Sequence, residues 1–554
     1  MILNDTRLAE YVDRFHAFDE QTVLSSIPNQ LAGGWLASQI PRLDCPDQDI
    51  EEIYYFRWWT FRKHLKHTPQ GWVVTEFLPD VPWAGRYNTI ACAAGHHLYE
   101  GRWLQDTGPL LDYARFWYRG GGALHDYSNW IPNALYQLCL TTGDFGPAID
   151  LLPELVADAQ WWEDEHSHVS GLFWSSDDRD GGEFSISGPG LRTTLNCYLY
   201  ANMTAIAAIA AEAGRPELQE QFMLKADRLK RMIKERLWDH ETGFFRCIPL
   251  PDRQSAVANW SFSQMIPALT VRELWGYLPW YFNDAGSIGS LVSSQDSGLA
   301  WRCLFDRAGF HGEYGPTTAE RCHPLFGIFT SGSELQTWLD KRPEEFRQKV
   351  SEAGHECLWN GPSWPFATSQ TLTALANYLA SNLTSASQAT VSPAEYLQLL
   401  RRYARSQHRW REDGILVPWI DENLDPDNGS WISRNRLKTW SNGSWDPDKG
   451  GYERGKDYNH STYGDLIISG LFGIRPTTQG IEIRPLLPHS DWPYACLDGV
   501  PCRGRHLTVL YDRDGTRYNR GQGYQILVDG ETIFTAKVPT ACRLDVSCDH
   551  ASVL

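Results

Sequence analysis

"TAIAAIAAEAGRPELQEQFMLKADRLKRMIKERLW", residues 204–238, is the stretch that decides the fold. An alanine-rich apolar run is followed, after a short break, by a segment whose charged residues recur at helical spacing. Gly214 suits the left-handed conformation that ends a helix, and Pro216 suits the first turn of the next one. The stretch therefore predicts a helical hairpin.

The same layout recurs in other parts of the chain. The stretch "LYQLCLTTGDFGPAIDLLPELVADAQWW" (135–162) repeats it, and so does "TLTALANYLASNLTSASQATVSPAEYLQLLRRYARSQ" (371–407). In the latter, Ser392 and Glu395 predict a capping box after a polar linker. Units that recur roughly every 50–70 residues indicate a closed ring of hairpins or a solenoid.

Long irregular loops between the helical units favour the ring. They carry most of the Trp, Gly, His and Asp residues, whereas a binding solenoid typically has short polar turns. In a toroid the helices form the scaffold and such loops surround a central pocket. The loops are 76–90, 118–133, 170–196, 276–283, 310–326, 355–370 and 418–463.

The last part of the chain has a different pattern. Short β-branched and aromatic runs such as "HLTVLYDRDGTRY" (506–518) and "YQILVDGETIFTA" (524–536) contain Asp-Gly turns typical of β-hairpins. We therefore expect a mainly α protein with three parts. These are an N-terminal segment (1–47), a helical catalytic barrel (48–475) and a small all-β domain (476–554).

Composition narrows the range of partners. The net charge of −18 disfavours nucleic acid, which requires a concentrated basic surface. The sequence contains no run of 18 uninterrupted apolar residues, so it does not predict a membrane-spanning helix. The 25 Trp residues indicate either a Trp-rich core or a ligand with apolar faces, such as a carbohydrate. The oligomeric state is not predicted.

The cysteines and the N-terminus leave the cellular compartment open. No signal peptide is visible, which fits a cytoplasmic protein or a mature chain without its leader. Four of the 12 cysteines, Cys496, Cys502, Cys542 and Cys548, lie near the C-terminus. They allow two disulfides if the protein is exported, whereas other cysteines lie in apolar helical contexts that suit buried thiols.

Motifs for cofactors and metals are absent from the sequence. There is no phosphate-binding GxxxxGK[ST] loop, no GxSxG nucleophile elbow and no HExxH zinc motif. "GHHLYEG" (95–101) offers one His–Glu pair on a helical face, which is a weak metal signal. "DDRDGGEFSISG" (177–188) fails as a calcium loop, because Ser176 and Ser187 occupy the two terminal ligand positions. We expect neither a metal nor a cofactor.

Acid-rich loops carry the remaining chemistry. They are "DDRDGGEFSISG" (177–188), "WIDENLDPDNGSW" (419–431) and "WDPDKGGYERGKDYNHS" (445–461). Each is consistent with a solvated Asp/Gly turn, but Trp residues lie within or beside all three. Glycoside hydrolysis needs two carboxyl groups across a pocket, and loops distant in sequence converge in a ring.

These motifs resemble those of a known family. "GGEFS" before a long helix, "GRYNTIACAAGHH", "NGPSWPFAT" and "ENLDPDNG", followed by a β domain, are similar to the six-hairpin (α/α)6 glycosidases. The resemblance covers roughly 50–475. It is greatest to the mannosylglycerate-hydrolase-like branch, which is related to the trehalase and processing α-glucosidase families. It implies an (α/α)6 toroid and glycosidase activity with inversion.

The resemblance also implies the roles of two glutamates. The family's G-x-D-x-S segment supplies the general acid, and "GGEFS" puts Glu183 in that place. The family's E-x-Y-x-P-x-T-G segment supplies the general base, and "ENLDPDNG" puts Glu422 there, with Leu424 and Asn428 as departures. Flanking by glycine and phenylalanine is consistent with a raised pKa for the acid.

Other residues of the acid-rich loops have supporting roles in this interpretation. Asp178, Asp180 and Asp421 are expected to support the pair, and Arg179 or Arg192 to orient carboxylates. Asp178 and Asp180 are also predicted to bind the sugar, with a role as scaffolding of the loop as the alternative. Residues of the remaining loops are predicted sugar contacts, although packing in the core explains each of them equally well. They are Trp83, Arg86, Asn88, Trp130, Trp280, Trp364 and His460.

The sequence thus favours an exo-acting inverting glycoside hydrolase with a pocket for one terminal sugar. A phosphorylase on the same toroid is the first alternative, and the intact Glu422 together with the lack of an obvious basic cluster argues against it. A noncatalytic carbohydrate-binding protein is the second, and it would not need two acids in matched motifs. The sugar is not predicted.

Overall fold

Helices precede a β-rich C-terminal region in the computed structural model, which describes residues 2–255, 270–283, 286–327, 358–382, 390–434 and 447–554. The helical part also includes a 3₁₀ segment at Leu274–Trp280 and a π-helical segment at Leu466–Leu471. The helices are α1 (Thr6–Phe18), α2 (Ala32–Gln39), α3 (Gln48–His64), α4 (Ala91–Gly101), α5 (Gly108–Arg119), α6 (Ile131–Thr142), α7 (Gly146–Asp150), α8 (Leu152–His166), α9 (Thr193–Glu212), α10 (Pro216–Leu237), α11 (Ser294–Arg302), α12 (Pro365–Asn382) and α13 (Pro393–Ser406).

The predicted hairpin at 204–238 is confirmed as the end of α9 followed by α10. Gly214 lies between the two helices with φ +66°, a left-handed conformation that costs glycine little, and Pro216 opens α10. The capping box at the start of α13 is also present, since the side chains and backbone N–H groups of Ser392 and Glu395 bond reciprocally.

Six segments form an inner ring. They are α4, α6, α9, Leu274–Trp280, α12 and Leu466–Leu471, and each packs against the next. The ring closes because Glu100, near the end of α4, accepts hydrogen bonds from the backbone N–H groups of 463–465. Arg102 adds an ion pair of 2.7 Å to Asp465. Inner segments are apolar almost all round, as a central layer requires.

Six outer helices alternate with the inner segments along the described chain: α3, α5, α8, α10, α11 and α13. An outer helix buries a single stripe, as α10 does with Phe222, Ala226, Leu229 and Ile233 at helical spacing. This alternation confirms the mainly α (α/α)6 toroid. No helix within the described ranges is both long and apolar enough to cross a membrane.

The C-terminal region forms two antiparallel sheets, with the strand orders β1-β12-β13-β14-β15 and β10-β11-β16-β17. The predicted small β domain is thereby confirmed. The strands are β1 (Arg42–Asp44), β2 (Leu65–Thr68), β3 (Gly71–Val74), β4 (Gly190–Leu191), β5 (Trp238–Asp239), β6 (Phe244–Phe245), β7 (Ile248–Pro249), β8 (His408–Trp410), β9 (Leu416–Pro418), β10 (Ile474–Thr477), β11 (Gly480–Ile483), β12 (Tyr494–Cys502), β13 (Arg505–Asp512), β14 (Gly523–Val528), β15 (Glu531–Ala536), β16 (Cys542–Leu544) and β17 (Ala551–Val553).

The N-terminal segment contributes to the C-terminal sheet. Strand β1 pairs with β12 so that Arg42 lies opposite Asp498. The Asp498 carboxylate also accepts hydrogen bonds from the backbone N–H groups of Ile2 and Leu3. The first of the predicted segments is therefore attached to the last one, and the proposed division at residues 47 and 475 remains a prediction.

The four C-terminal cysteines are free thiols in the structure. Cys496, Cys502, Cys542 and Cys548 are all buried, and none forms a disulfide. The alternative of two disulfides in this domain is thus not what the structure contains. Burial raises the pKa of the Cys502 thiol far above its ordinary value, as expected of a cysteine that acts as a small apolar side chain.

Candidate active site

A cavity of about 480 Å³ lies among loops of the toroid. Its walls come from the loops that lead into α4, α6, α9, α12 and Leu466–Leu471, so it lies at the N-terminal ends of inner segments. The lining residues are Glu76, Phe77, Trp83, Ile90, Cys92, Tyr127, Asp178, Arg179, Gly181, Glu183, Phe184, Trp359, Trp364, Phe366, Glu422, Lys449, Arg454, Tyr458 and His460.

The cavity has a charged rim and an aromatic interior. Asp178, Arg179 and Lys449 are exposed at the rim, where Trp83 is 41% exposed. The interior is lined by buried rings, of which Trp359 is stacked on Trp364 with 4.2 Å between the ring centroids. Aromatic faces next to charged and hydrogen-bonding groups suit a ligand that has both apolar faces and hydroxyl groups.

Glu183 lies on the loop 177–188, named here the acid loop. Its side chain is half-buried and lines the cavity. Its backbone carbonyl accepts a hydrogen bond of 3.1 Å from the N–H of Trp359, and the next residue, Phe184, has φ +56°. Burial, reinforced by the neighbouring aspartates, raises the pKa of Glu183 to about 8. The carboxyl group is therefore protonated at neutral pH.

A buried arginine holds the acid loop in shape. Arg192, at the start of α9, forms an ion pair with Asp180 and donates hydrogen bonds to Ser185 Oγ, Ser187 Oγ and the carbonyl of Gly188. Both members of the ion pair are almost completely buried. Such a paired charge fixes the loop because loss of either partner leaves the other uncompensated.

Glu422 lies on the loop 419–431, named here the base loop. Its side chain is 3% exposed and lines the same cavity as Glu183. The preceding residue, Asp421, accepts hydrogen bonds from the N–H of Glu422 at 2.9 Å and from Arg434 Nε at 2.7 Å. A buried Asp–Arg pair therefore supports this loop as well.

A second arginine lies beside Glu422. The guanidinium of Arg454 is 3.6 Å from Glu422 Oε1 and lies over the Trp83 ring, 4.5 Å from its centroid. Its carbonyl accepts a hydrogen bond from Arg434, so the two arginines of this region are linked. An opposite charge at this distance stabilises the carboxylate form of Glu422.

A third carboxyl group, that of Glu76, also lines the cavity. Glu76 follows β3, is 4% exposed, and accepts a hydrogen bond of 3.1 Å from Trp83 Nε1. Burial, with a further contribution from the charge of Glu422, raises its pKa to about 8. The sequence interpretation did not include this residue.

Four of the predicted sugar-binding residues line the cavity, together with Glu183 and Glu422. Trp83 and Asp178 lie at its rim, and Trp364 and His460 lie in its interior. Burial lowers the pKa of His460 well below its ordinary value, so the imidazole is neutral. Their contacts with a sugar remain a prediction.

The other five predicted sugar-binding residues are not among the lining residues. Arg86 donates to the carbonyl of Gly120, and Asn88 bonds the backbone of the loop that carries Trp83. Trp130 and Trp280 are core residues that pack against glycines of neighbouring segments, and Asp180 is paired with Arg192. Their contacts with a sugar likewise remain a prediction.

Several lining residues were not identified from the sequence. Glu76, Tyr127, Trp359, Arg454 and Tyr458 come from four different loops, and nothing in their local sequence places them together. One signal was available for Glu76, because the dipeptide Glu-Phe occurs both here and at Glu183, each time in a loop that leads into an inner helix. Trp445, the first residue of the third acid-rich loop (445–461), lies outside the described residues.

A metal site was also considered. In the part of the chain that the structure describes, no group of three or more His, Cys, Asp or Glu residues is arranged to hold a metal ion. The His–Glu pair of "GHHLYEG" is His97 with Glu100. His97 Nδ1 is hydrogen-bonded to the Tyr113 hydroxyl at 3.1 Å, and Glu100 accepts hydrogen bonds from backbone N–H groups at the ring closure. His96 packs edge-on against Trp130 and Phe366.

Comparisons with known proteins agree with this architecture. Residues 86–461 match the family described as the mannosylglycerate hydrolase MGH1-like glycoside hydrolase domain. Residues 474–534 match the C-terminal domain of glycosyl hydrolase family 65. The first match contains both Glu183 and Glu422, and the second covers most of the β domain.

Solved structures give one close and several distant likenesses. A structure named sialidase is 34% identical with a TM-score of 0.81, over 97% of this chain and 44% of its own length. A rhamnosidase from a Bacillus species is 15% identical (TM-score 0.45, 85% of this chain and 40% of that one). A mannosylglycerate hydrolase from Thermus thermophilus is 13% identical (TM-score 0.43, 66% and 96%). This chain thus spans less than half of the sialidase structure.

Proposed function

Because the chain belongs to the mannosylglycerate hydrolase MGH1-like glycoside hydrolase family, we propose that it is an exo-acting, inverting glycosidase that removes a terminal sugar. The observation that carries the proposal is that Glu183 and Glu422, from loops far apart in sequence, line one cavity. Their surroundings differ in charge, and two carboxyl groups in opposite protonation states are what the reaction needs.

Glu183 is the proposed general acid. A carboxyl group with a pKa of about 8 carries its proton at neutral pH. It donates that proton to the glycosidic oxygen as the bond from this oxygen to the anomeric carbon breaks, so the aglycone leaves as a neutral alcohol. The supporting aspartates of the acid loop keep the proton on Glu183 by their negative charge.

Glu422 is the proposed general base. As a carboxylate beside Arg454, it accepts a proton from a water molecule whose oxygen bonds to the anomeric carbon. The water attacks the face opposite to the leaving group, so the configuration at the anomeric carbon inverts. This mechanism requires a carboxyl separation of about 6.5–9.5 Å, which leaves room for the water.

Exo action is supported by the shape of the cavity. Its volume of about 480 Å³ suits a short saccharide, and buried aromatic rings line its interior. In the proposed complex the terminal sugar lies between Trp364 and His460, and the aglycone passes Trp83 and Asp178 at the rim. Stacking on the aromatic faces and hydrogen bonds to the sugar hydroxyls hold the substrate.

The first experiment identifies the sugar and the stereochemistry together. Nitrophenyl α-glucosides, α-mannosides, α-L-rhamnosides, β-L-arabinofuranosides and sialosides are hydrolysed in an NMR tube, and the anomer formed first is recorded. We expect one glycoside to be cleaved with inversion of configuration. Retention would contradict the role of Glu422 as a base. The sialoside belongs in the set only because a longer, similar structure bears the name sialidase.

One observation favours a second candidate, a phosphorylase. The cavity brings together Arg179, Lys449 and Arg454, whereas the sequence suggested no basic cluster in the loops. Phosphate would bind such a group and attack in place of water. Omission of phosphate distinguishes the two, because hydrolysis continues without it, whereas phosphorolysis stops and its sugar phosphate no longer forms.

A further inference from the structure

Glu76 lines the cavity, and of its two carboxyl oxygens one is engaged in a hydrogen bond and the other is not. Oε1 accepts the hydrogen bond from Trp83 Nε1, and the backbone N–H donates to the carbonyl of Asn88 at 2.7 Å. Oε2 is buried and has no hydrogen-bond partner in the protein. A buried polar atom without a partner is costly, so one that lines a binding cavity indicates a ligand group that completes it.

We propose that Glu76 is a substrate-binding residue whose protonated carboxyl donates a hydrogen bond from Oε2 to a hydroxyl of the terminal sugar. This rests on the proposed function, in which Glu183 and Glu422 carry out the bond cleavage. Glu76 would act beside them as a specificity-determining contact, because a sugar that lacks the hydroxyl leaves a buried donor unsatisfied.

The surroundings of Glu76 support the protonated form. The largest influence is burial, and the charge of Glu422 adds to it, whereas Trp83 and the guanidinium of Arg454 act in the opposite direction. Ionisation of Glu76 would add a second negative charge near that of Glu422. The other titratable or charged groups around Glu76 are Cys92, Tyr113, Tyr127, Asp178, Arg179, Glu183, Lys449 and His460.

Two alternative roles of Glu76 predict different effects of its substitution. An ionised Glu76 would act as a base, in competition with Glu422, and could not be replaced by an amide. A purely structural Glu76 would serve only to hold Trp83 at the rim, and its loss would equal the loss of that one hydrogen bond. The substitutions below separate the three roles.

The test compares Glu76→Gln with Glu76→Leu on the glycoside that the enzyme cleaves. Glutamine keeps a donor at this position, so kcat/KM is expected to fall by less than about tenfold. Leucine has no donor, so a fall of about 10- to 100-fold is expected. Trp83→Phe, which removes the same indole hydrogen bond, is the matched control, and circular dichroism checks that each variant folds.

Monodeoxy glycosides identify the partner hydroxyl. On the one substrate that lacks it, the wild-type enzyme and Glu76→Leu are expected to have the same kcat/KM, while they differ on every other substrate. If the two proteins differ by the same factor on all monodeoxy substrates, the side chain is structural and the proposal is overturned.

The pH profile provides an independent readout. In the proposal, activity requires that Glu183 and Glu76 are both protonated, and both lose their protons near pH 8. A plot of log kcat/KM against pH for the wild type is therefore expected to fall with a slope of about −2 above this pH. Glu76→Gln should reduce this slope to about −1. A loss of more than about 1000-fold in Glu76→Gln would identify a base and overturn the proposal. Failure of the proposed function is seen separately, as unchanged activity in Glu183→Gln and Glu422→Gln.

Discussion

The acid loop and the base loop are held by the same device but differ in the charges around their glutamates. Each loop is supported by a buried Asp–Arg ion pair, Asp180 with Arg192 in one and Asp421 with Arg434 in the other. In both cases the arginine comes from a segment that follows the loop. Two rigid loops therefore project their glutamates into one cavity.

The two loops differ in the charged groups that surround Glu183 and Glu422. The charges that raise the pKa of Glu183 are those of three aspartates on its own loop. Glu422 instead has the guanidinium of Arg454 at 3.6 Å. In the proposed mechanism, this difference in charge lets one residue type serve as acid and as base in the same pocket.

The largest expected effect comes from replacement of the two glutamates. Glu422→Gln should lower kcat by about 10²- to 10⁴-fold on every substrate. Glu183→Gln should do so only for alkyl aglycones, and much less for a dinitrophenyl glycoside, because a good leaving group needs no proton. Steady-state kinetics on both substrate types measure this. Glu220→Gln, on the exposed face of α10, is the matched control, and leaving-group effects exchanged between the two variants would reverse the assignment.

The next effect tests the two ion pairs. Arg192→Met leaves the buried carboxylate of Asp180 unpaired and should lower the free energy of unfolding by about 3–5 kcal/mol. Urea denaturation measures the change. Adding Asp180→Asn to this variant should recover part of the loss, because the uncompensated charge is removed. If Arg192→Met costs less than about 1 kcal/mol, the pair does not hold the acid loop.

A smaller effect concerns stability and pH. The folded protein raises the pKa of Glu183 from 4.5 to about 8, so the unfolded chain ionises first and stability is lost as pH rises through this interval. Glu183→Gln removes this loss and should raise the free energy of unfolding at pH 8 by up to about 4 kcal/mol, with little change at pH 4. Glu422→Gln should instead be destabilising, because Arg454 loses its carboxylate. Equal effects at both pH values would show that Glu183 is ionised in the folded protein.

The smallest effect concerns the position of the acidic limb of the pH profile. Arg454→Gln removes a positive charge 3.6 Å from Glu422 Oε1, so this limb should move to higher pH. The Glu183 part of the alkaline limb should stay in place, whereas the Glu76 part should also move upward, because Arg454 lowers the pKa of Glu76. Profiles of kcat/KM against pH for the two proteins measure both limbs. A shift of the alkaline limb alone would mean that Arg454 acts on the acid and not on the base.

Much of the fold was predictable because its signals are local. Gly214 and Pro216 at the turn of the hairpin, and the capping box at Ser392, depend only on residues a few positions apart. By contrast, the pairing of β1 with β12 joins residues more than 400 positions apart, and the short strand at Arg42–Asp44 has no pattern of its own.

The site was predictable only where a residue belonged to a motif. Glu183 and Glu422 stand in matched segments, and both line the cavity. Trp130 and Trp280 belong to Trp-bearing loops as Trp364 does, yet they pack in the core. Whether a tryptophan faces a core or a cavity depends on the segments that surround it, and a single loop sequence does not contain that information.

The sequence by itself determined several helix ends, which stretches form strands at the C-terminus, and which two glutamates stand in the segments that resemble the family's catalytic motifs. Tertiary structure decided which loops meet, through a ring that closes between Glu100 and 463–465. It also brought Glu76 into the cavity and fixed the protonation preferences of the carboxyl groups. The physical reason is that helix signals act over a few residues, whereas burial and charge at one atom are set by segments hundreds of residues away.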